Sequence, residues 1–200
     1  MTFGLLVFPD VEELDFVGPW EVFTMSAEIH RGLRTGVPEP VSHLVGTVAG
    51  PIRCAKGMRV LPDCTLADAP PLDVLLVPGG VGTRPLATDT EVLAWVAARA
   101  ATARWVTSVC TGALVLHAAG VSAGRAVTTH WMFADTLKAK GANVVRDTRY
   151  VRDGNLVSAA GVSAGIDMAL WLIGQIYGED HARAVQKGME YDPAPPYGAG

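Results

Sequence analysis

The chain has little charge and few cysteines, and neither is gathered into a run or a framework. Lys and Arg number 16 against 20 Asp and Glu, a formal net charge of −4 over 200 residues. No Lys/Arg run concentrates positive charge locally, so no nucleic-acid partner is expected. No stretch has the uninterrupted apolar length of a membrane span. Met1 to Pro9 lacks the basic start and the length of a leader peptide. Three cysteines, an odd number without a dense pattern, point to a reducing, cytoplasmic setting. Cys54 and Cys64 have no His or Cys neighbour at zinc-ligand spacing and read as packing or surface thiols. Gly79-Gly80 is not followed by Gly-Lys-Ser/Thr, so it is no phosphate loop. No metal and no organic cofactor is expected.

Half of the residues are hydrophobic, enough for a full core. Continuous apolar runs at Phe3–Phe8, Asp73–Val77 and Trp105–Val109 read as strands covered on both faces. Asp89–Ala103 is an amphipathic helix with Val92, Leu93, Val96, Ala97 and Ala100 on one stripe. Pro19 fits the first turn of a helix running to about His30, and Val11–Pro19 reads as a loop. Ser42–Val48 is a further strand, Ile52–Val60 a small hairpin and Asp63–Leu72 connecting chain. Gly124–Thr129 is a strand that delivers Thr128-Thr129-His130-Trp131 to a helix start. Asn143–Val151 and Asn155–Ala159 flank an Asp153-Gly154 hairpin turn. Ser163 caps a buried helix through Ile176, and a last helix covers Asp180–Met189. Strands and helices alternate without repeats. The expected fold is therefore a doubly wound α/β sandwich with a mostly parallel sheet, one domain over 1–191 and an irregular tail over 192–200.

One stretch carries the chemistry. Arg104–Val109 is a strand, Cys110 an abrupt turn, and Thr111–Leu116 opens a helix with small residues. A thiol at such an elbow is lifted above the carboxyl edge of a parallel sheet. The first amides of the helix are expected to favour its thiolate. A core cysteine is the alternative. Asp15 leaves the same sheet edge between apolar neighbours; it is either a site acid with a shifted pKa or a capping or surface residue. Gly79 and Gly80 either bring free amides to a ligand or make a simple turn. His130 is either a base for Cys110 or a structural residue at a helix start. Gly161-Val162-Ser163-Ala164-Gly165 has the letters of a serine elbow, but capping accounts for Ser163.

Taken together, Leu14-Asp15-Phe16-Val17-Gly18-Pro19, Val77-Pro78-Gly79-Gly80, Ser108-Val109-Cys110-Thr111-Gly112-Ala113, Thr128-Thr129-His130-Trp131 and Gly161–Asp167 resemble the DJ-1/PfpI superfamily, in its order and over nearly the whole chain. Two of its subgroups carry this wording: isocyanide hydratases and the sensor domains of AraC-type regulators. Regulators continue into a helix-turn-helix domain and the chain has no basic face, so the hydratase resemblance is preferred. Val185–Pro196 also resembles the hydratase carboxyl end. Many DJ-1 relatives have Glu at the Asp15 position, and PfpI proteases have His at the Thr111 position; both differences favour the hydratase.

The resemblance implies a flavodoxin-like fold and a homodimer. It also implies Cys110 as nucleophile, Asp15 as the acid beside it and Thr111 as a hydroxyl partner. The substrate would be a small-molecule isocyanide, hydrated to an N-substituted formamide. Gly79, Gly80, Phe16, Trp20 and Val162 are expected around the pocket, with His130 in a supporting place. Amides of Gly79 and Thr111 are the candidate donors to developing charge. The competing expectations are glyoxalase or deglycase activity, and a cysteine redox sensor.

Overall fold

Aliphatic runs too short for helices and without polar alternation form strands that must be buried on both faces. A computed structural model shows this and describes residues 1–33 and 39–197. In chain order the elements are β1 (Thr2–Val7), α1 (Glu13–Leu33), β2 (Val41–Gly46), β3 (Ile52–Arg53), β4 (Arg59–Val60), β5 (Cys64–Thr65) and β6 (Val74–Val77). Then come α2 (Thr83–Leu86), α3 (Thr90–Thr102), β7 (Trp105–Val109), α4 (Gly112–Ala118), β8 (Ala126–Val127), a 3-10 turn (Trp131–Phe133) and α5 (Ala134–Ala139). The chain closes with β9 (Asn143–Val144), β10 (Tyr150–Asp153), β11 (Leu156–Ala159), α6 (Ala164–Tyr177) and α7 (Glu179–Gly188).

Seven strands form one sheet in the order β10-β11-β7-β6-β1-β2-β5. Every neighbouring pair is parallel except β10 with β11. From β1 the chain proceeds through β2 to one edge; from β6 it proceeds through β7 to the other. The order therefore reverses between β1 and β6, and in such sheets the crevice at the carboxyl ends of those strands is where ligands bind. The side chains of β6 and β7 are all buried, so both faces are covered. α1, α6 and α7 pack on one another, and α4 packs with α2 and α3. Phe3 of β1 stacks on Phe23 of α1 at 4.4 Å between ring centroids. Asp89 caps α3 by accepting the amides of Glu91 and Val92 at 3.1 Å each, a device worth ~1 kcal/mol.

Several local expectations are corrected. α1 begins at Glu13, so Asp15 stands in its first turn and Pro19 lies inside the helix. Pro19 has no N–H for the Asp15 carbonyl, so one helical hydrogen bond is missing just past the residue of interest. Asp63–Leu72 contains the edge strand β5, too short to show a pattern. β8 and β9 form a small parallel pair of their own, and Asn143–Val151 is two strands rather than one. Ser163 makes no capping bond to α6; its hydroxyl accepts from Arg149 Nη1 at 3.2 Å. Asp192–Tyr197 has neither helix nor strand, and the rest of the tail lies outside the described residues.

Candidate active site

Cys110 sits between β7 and α4 with φ at 56°, in the left-handed region. A non-glycine residue there stores strain of order 1–3 kcal/mol and needs surroundings that hold it. They are present. The Cys110 amide donates to the Ala160 carbonyl at 2.7 Å, and the Thr129 hydroxyl donates to the Cys110 carbonyl at 2.7 Å. α4 starts hard against the end of β6: a Cβ on Gly112 would stand 2.0 Å from the Val77 carbonyl oxygen. The side chain of Cys110 is left at the carboxyl edge and nearly buried, at 7% exposure.

Asp15 is fully buried at the same place. Its Oδ2 accepts the Gly79 amide at 2.8 Å, while Oδ1 has no hydrogen-bond partner. Gly79 must be glycine here, because a Cβ would lie 2.6 Å from the Thr111 amide nitrogen and 2.7 Å from Asp15 Oδ2. Burial pushes the Asp15 carboxyl up to about 7; the Gly79 amide pulls it back in part, the Glu12 charge adds to the rise, and the Cys110 thiol and Lys56 oppose it. The Cys110 thiol is pushed up to about 12 by burial first and by the Asp15 charge second. Amides of Thr111 and Val162 and the Thr111 hydroxyl bear on the sulfur in the opposite sense and are outweighed.

Burial and the Asp15 charge oppose the expected thiolate, while the Thr111 and Val162 amides favour it, and a thiol and a carboxyl coupled in this way titrate as a pair. The expected role of the Gly79 amide is corrected: it holds Asp15 and is not free for a substrate. The donors aimed at the sulfur are the Thr111 and Val162 amides. Val162 presents its amide from φ 32°, an outlier for a β-branched residue.

Thr111 ties the site to the loop after β6. Its hydroxyl accepts the Gly80 amide at 3.0 Å and lies 3.1 Å from the Thr83 hydroxyl and 3.2 Å from the Gly80 carbonyl. That carbonyl also accepts from Thr83 Oγ1 at 2.8 Å and Arg84 Nη1 at 2.7 Å. Gly80 has φ 120°, and a Cβ there would meet the Asp10 carbonyl at 2.4 Å. Thr83, Glu12 and Lys56 thus belong to the site's surroundings with no motif to mark them, whereas Thr129 comes from the Thr128-Thr129-His130-Trp131 segment.

A cavity of about 860 Å³ adjoins the elbow, with Thr129, His130, Trp131, Val145, Arg146 and Val162 among its walls. Three of its wall residues are those that hold Cys110: Thr129 at the carbonyl, Ala160 at the amide and Val162 at the sulfur. His130 lines it, accepts the Met132 amide on Nδ1 at 3.3 Å and lies over Gly161, where a Cβ would be 2.6 Å from its ring. Cys110, Asp15, Gly79 and Gly80 are not among its walls, so the expected place of the two glycines at the pocket is corrected; Phe16 is in the core and Trp20 packs against the core, and neither of these lines the cavity either. The cause is the early start of α1. Successive helical residues point about 100° apart, so with Asp15 at the site Phe16 turns inward. Among the described residues no cluster of three or more His, Cys, Asp or Glu can hold a metal ion.

The sequence model of the DJ-1/PfpI family matches residues 2–175. The chain belongs to the DJ-1/PfpI family. It is 44% identical over 200 residues to the isonitrile hydratase of Pseudomonas putida, covering 100% of this chain and 82% of that protein. A ThiJ/PfpI family protein from Pseudomonas syringae has the same architecture, with a TM-score of 0.89 and 35% identity over 100% of this chain and 78% of that one. Drosophila melanogaster DJ-1beta superposes with a TM-score of 0.81 at 21% identity over 96% of this chain and 98% of its own, a likeness of fold. The DJ-1/PfpI membership accounts for the parallel sheet with helices on both faces.

Proposed function

We propose that the protein hydrates isocyanides to N-substituted formamides through a covalent thioimidate on Cys110. The observation that carries this is a buried thiol beside a buried carboxyl whose pKa is near neutrality. Its 44% identity to an isonitrile hydratase supports it. An isocyanide carbon is electrophilic and becomes carbanion-like once attacked. It needs a soft nucleophile and a proton delivered to the same carbon.

Ionised Asp15 takes the Cys110 proton as sulfur forms its bond to the terminal carbon, and then gives that proton to the carbon. The product is a thioimidate with a C=N bond. Asp15, ionised again, takes a proton from water as its oxygen adds to the same carbon. The C–S bond breaks, sulfur leaves with its electron pair, the remaining protons return to sulfur and nitrogen, and the formamide departs. A carboxyl poised near ambient pH serves both directions, and such transfer contributes ~10²–10⁴-fold. The Thr111 and Val162 amides stabilise negative charge on sulfur as it attacks and leaves. The cavity that shares Thr129, Ala160 and Val162 with the elbow has room for a small organic molecule.

A cytoplasmic homodimer belongs to the same reading. No described helix is long and apolar enough to cross a membrane, and Leu14 and Val17 leave apolar side chains exposed on α1. The deciding experiment follows loss of the isocyanide infrared band with the purified protein, with methylglyoxal as a parallel substrate. The expected result is formamide from the unsubstituted protein and none from Cys110→Ala. Retained turnover in Cys110→Ala, or turnover of methylglyoxal alone, would overturn the proposal.

A further inference from the structure

The hairpin of β3 and β4 lies on the segment that leads into Asp15. Asp10 donates its amide to the Arg53 carbonyl at 2.9 Å, and Ala55 donates to the Val11 carbonyl at 2.8 Å. At the hairpin tip the Lys56 amide donates to Glu13 Oε1 at 2.8 Å, and the Lys56 ammonium pairs with Glu12. The Glu12 side chain is only 16% exposed, and its amide donates to the Gly79 carbonyl at 3.0 Å. Since the Gly79 amide in turn holds Asp15, Glu12 and Asp15 grip the same glycine from both sides. A cation–anion pair drawn from two different elements is thus tied through the Gly79 peptide to one buried carboxyl.

We propose that Glu12 and Lys56 are positioning residues for the Asp15 proton: the hairpin tip brings one positive charge and the loop before α1 one negative charge to the carboxyl, and their balance sets how fully Asp15 is loaded at neutral pH. This rests on Asp15 as the proton carrier of the reading above. The charged and titratable groups that act on Asp15 are Glu12 from the loop, Lys56 from the hairpin and Cys110 from the elbow. Glu13 acts on Lys56. Glu12 raises the Asp15 pKa and Lys56 lowers it, so the two should be separable by sign.

The test is the titration midpoint of Asp15, read by carboxyl carbon NMR with Asp15→Asn identifying the resonance, beside the pH profile of isocyanide hydration. Lys56→Met should move the midpoint up and Glu12→Gln should move it down, each by roughly half a unit for a partly solvated charge. Lys56→Arg should restore it, and high salt should shrink the Lys56→Met effect because the Lys56 side chain is 68% exposed. A purely structural role for the pair would not move the midpoint in opposite directions. Unmoved midpoints, or shifts of the same sign in both variants, would overturn the inference. NMR shifts of the expected signs in a protein that turns over no isocyanide would leave the inference standing and overturn the hydratase reading instead.

Discussion

Asp73 and Asp15 stand at opposite ends of β6. Asp73 precedes the strand, its side chain is 47% exposed, and its Oδ2 accepts the Thr2 amide at 2.7 Å with the chain's amino terminus 4.0 Å away. Asp15 meets the loop after the strand, is fully buried, and has one amide for its two oxygens. The first carboxylate joins β1 to β6 and is wetted. The second is desolvated and short of partners. Burying a carboxyl so is costly unless it stays protonated, and at this end of the sheet strain at Cys110 and Val162 accompanies it. The carboxyl edge is therefore built for chemistry at the expense of stability, and the amino edge for stability.

Asp15→Asn breaks the comparison most. The amide keeps an oxygen for the Gly79 N–H but cannot shuttle a proton, so isocyanide turnover should fall by ~10²-fold or more, as read by formamide release. Stability should move the other way. The Asp15 pKa is raised from 3.8 to about 7, so the unfolded chain ionises first as pH climbs through that window. Stability of the unsubstituted protein should decline across it and level off above, and the asparagine variant should not follow. The gap at alkaline pH is bounded at about 4 kcal/mol, measurable by denaturant unfolding at both ends of the window. Asp73→Asn should have the smallest effect. It keeps an acceptor for Thr2, and an exposed pair of this kind is worth ~0–1 kcal/mol, so turnover should be unchanged and unfolding barely shifted.

The same contrast explains what could be read from residues alone. Buried strands announce themselves by apolar runs, and Cys110 between such a run and Gly112 announces a turn, because only a small residue fits under Val77. Asp15 was legible through its place after β1 and its family-like surroundings. The start of α1 was not, since Pro19 looks like a first-turn residue and nothing local shows that the helix absorbs it. Nor was the balance at Cys110: the helix-start amides are visible in the pattern, whereas the burial that opposes them is a property of the packed whole. Val162 was expected at the pocket for its side chain, and only the structure shows that its amide also bears on the sulfur. Thr83 and Lys56 act across 28 and 44 residues of chain, at Thr111 and Glu12 respectively, beyond the reach of any local motif.

Hydration by this route depends on a neutral thiol waiting beside an acid that holds or lends the proton. The S–H stretching band in the infrared difference between the unsubstituted protein and Cys110→Ala reads this directly, because Cys54 and Cys64 are common to both. A band present at neutral pH and persisting well into the alkaline range is the predicted result; its absence at neutral pH would show a resting thiolate and contradict the account.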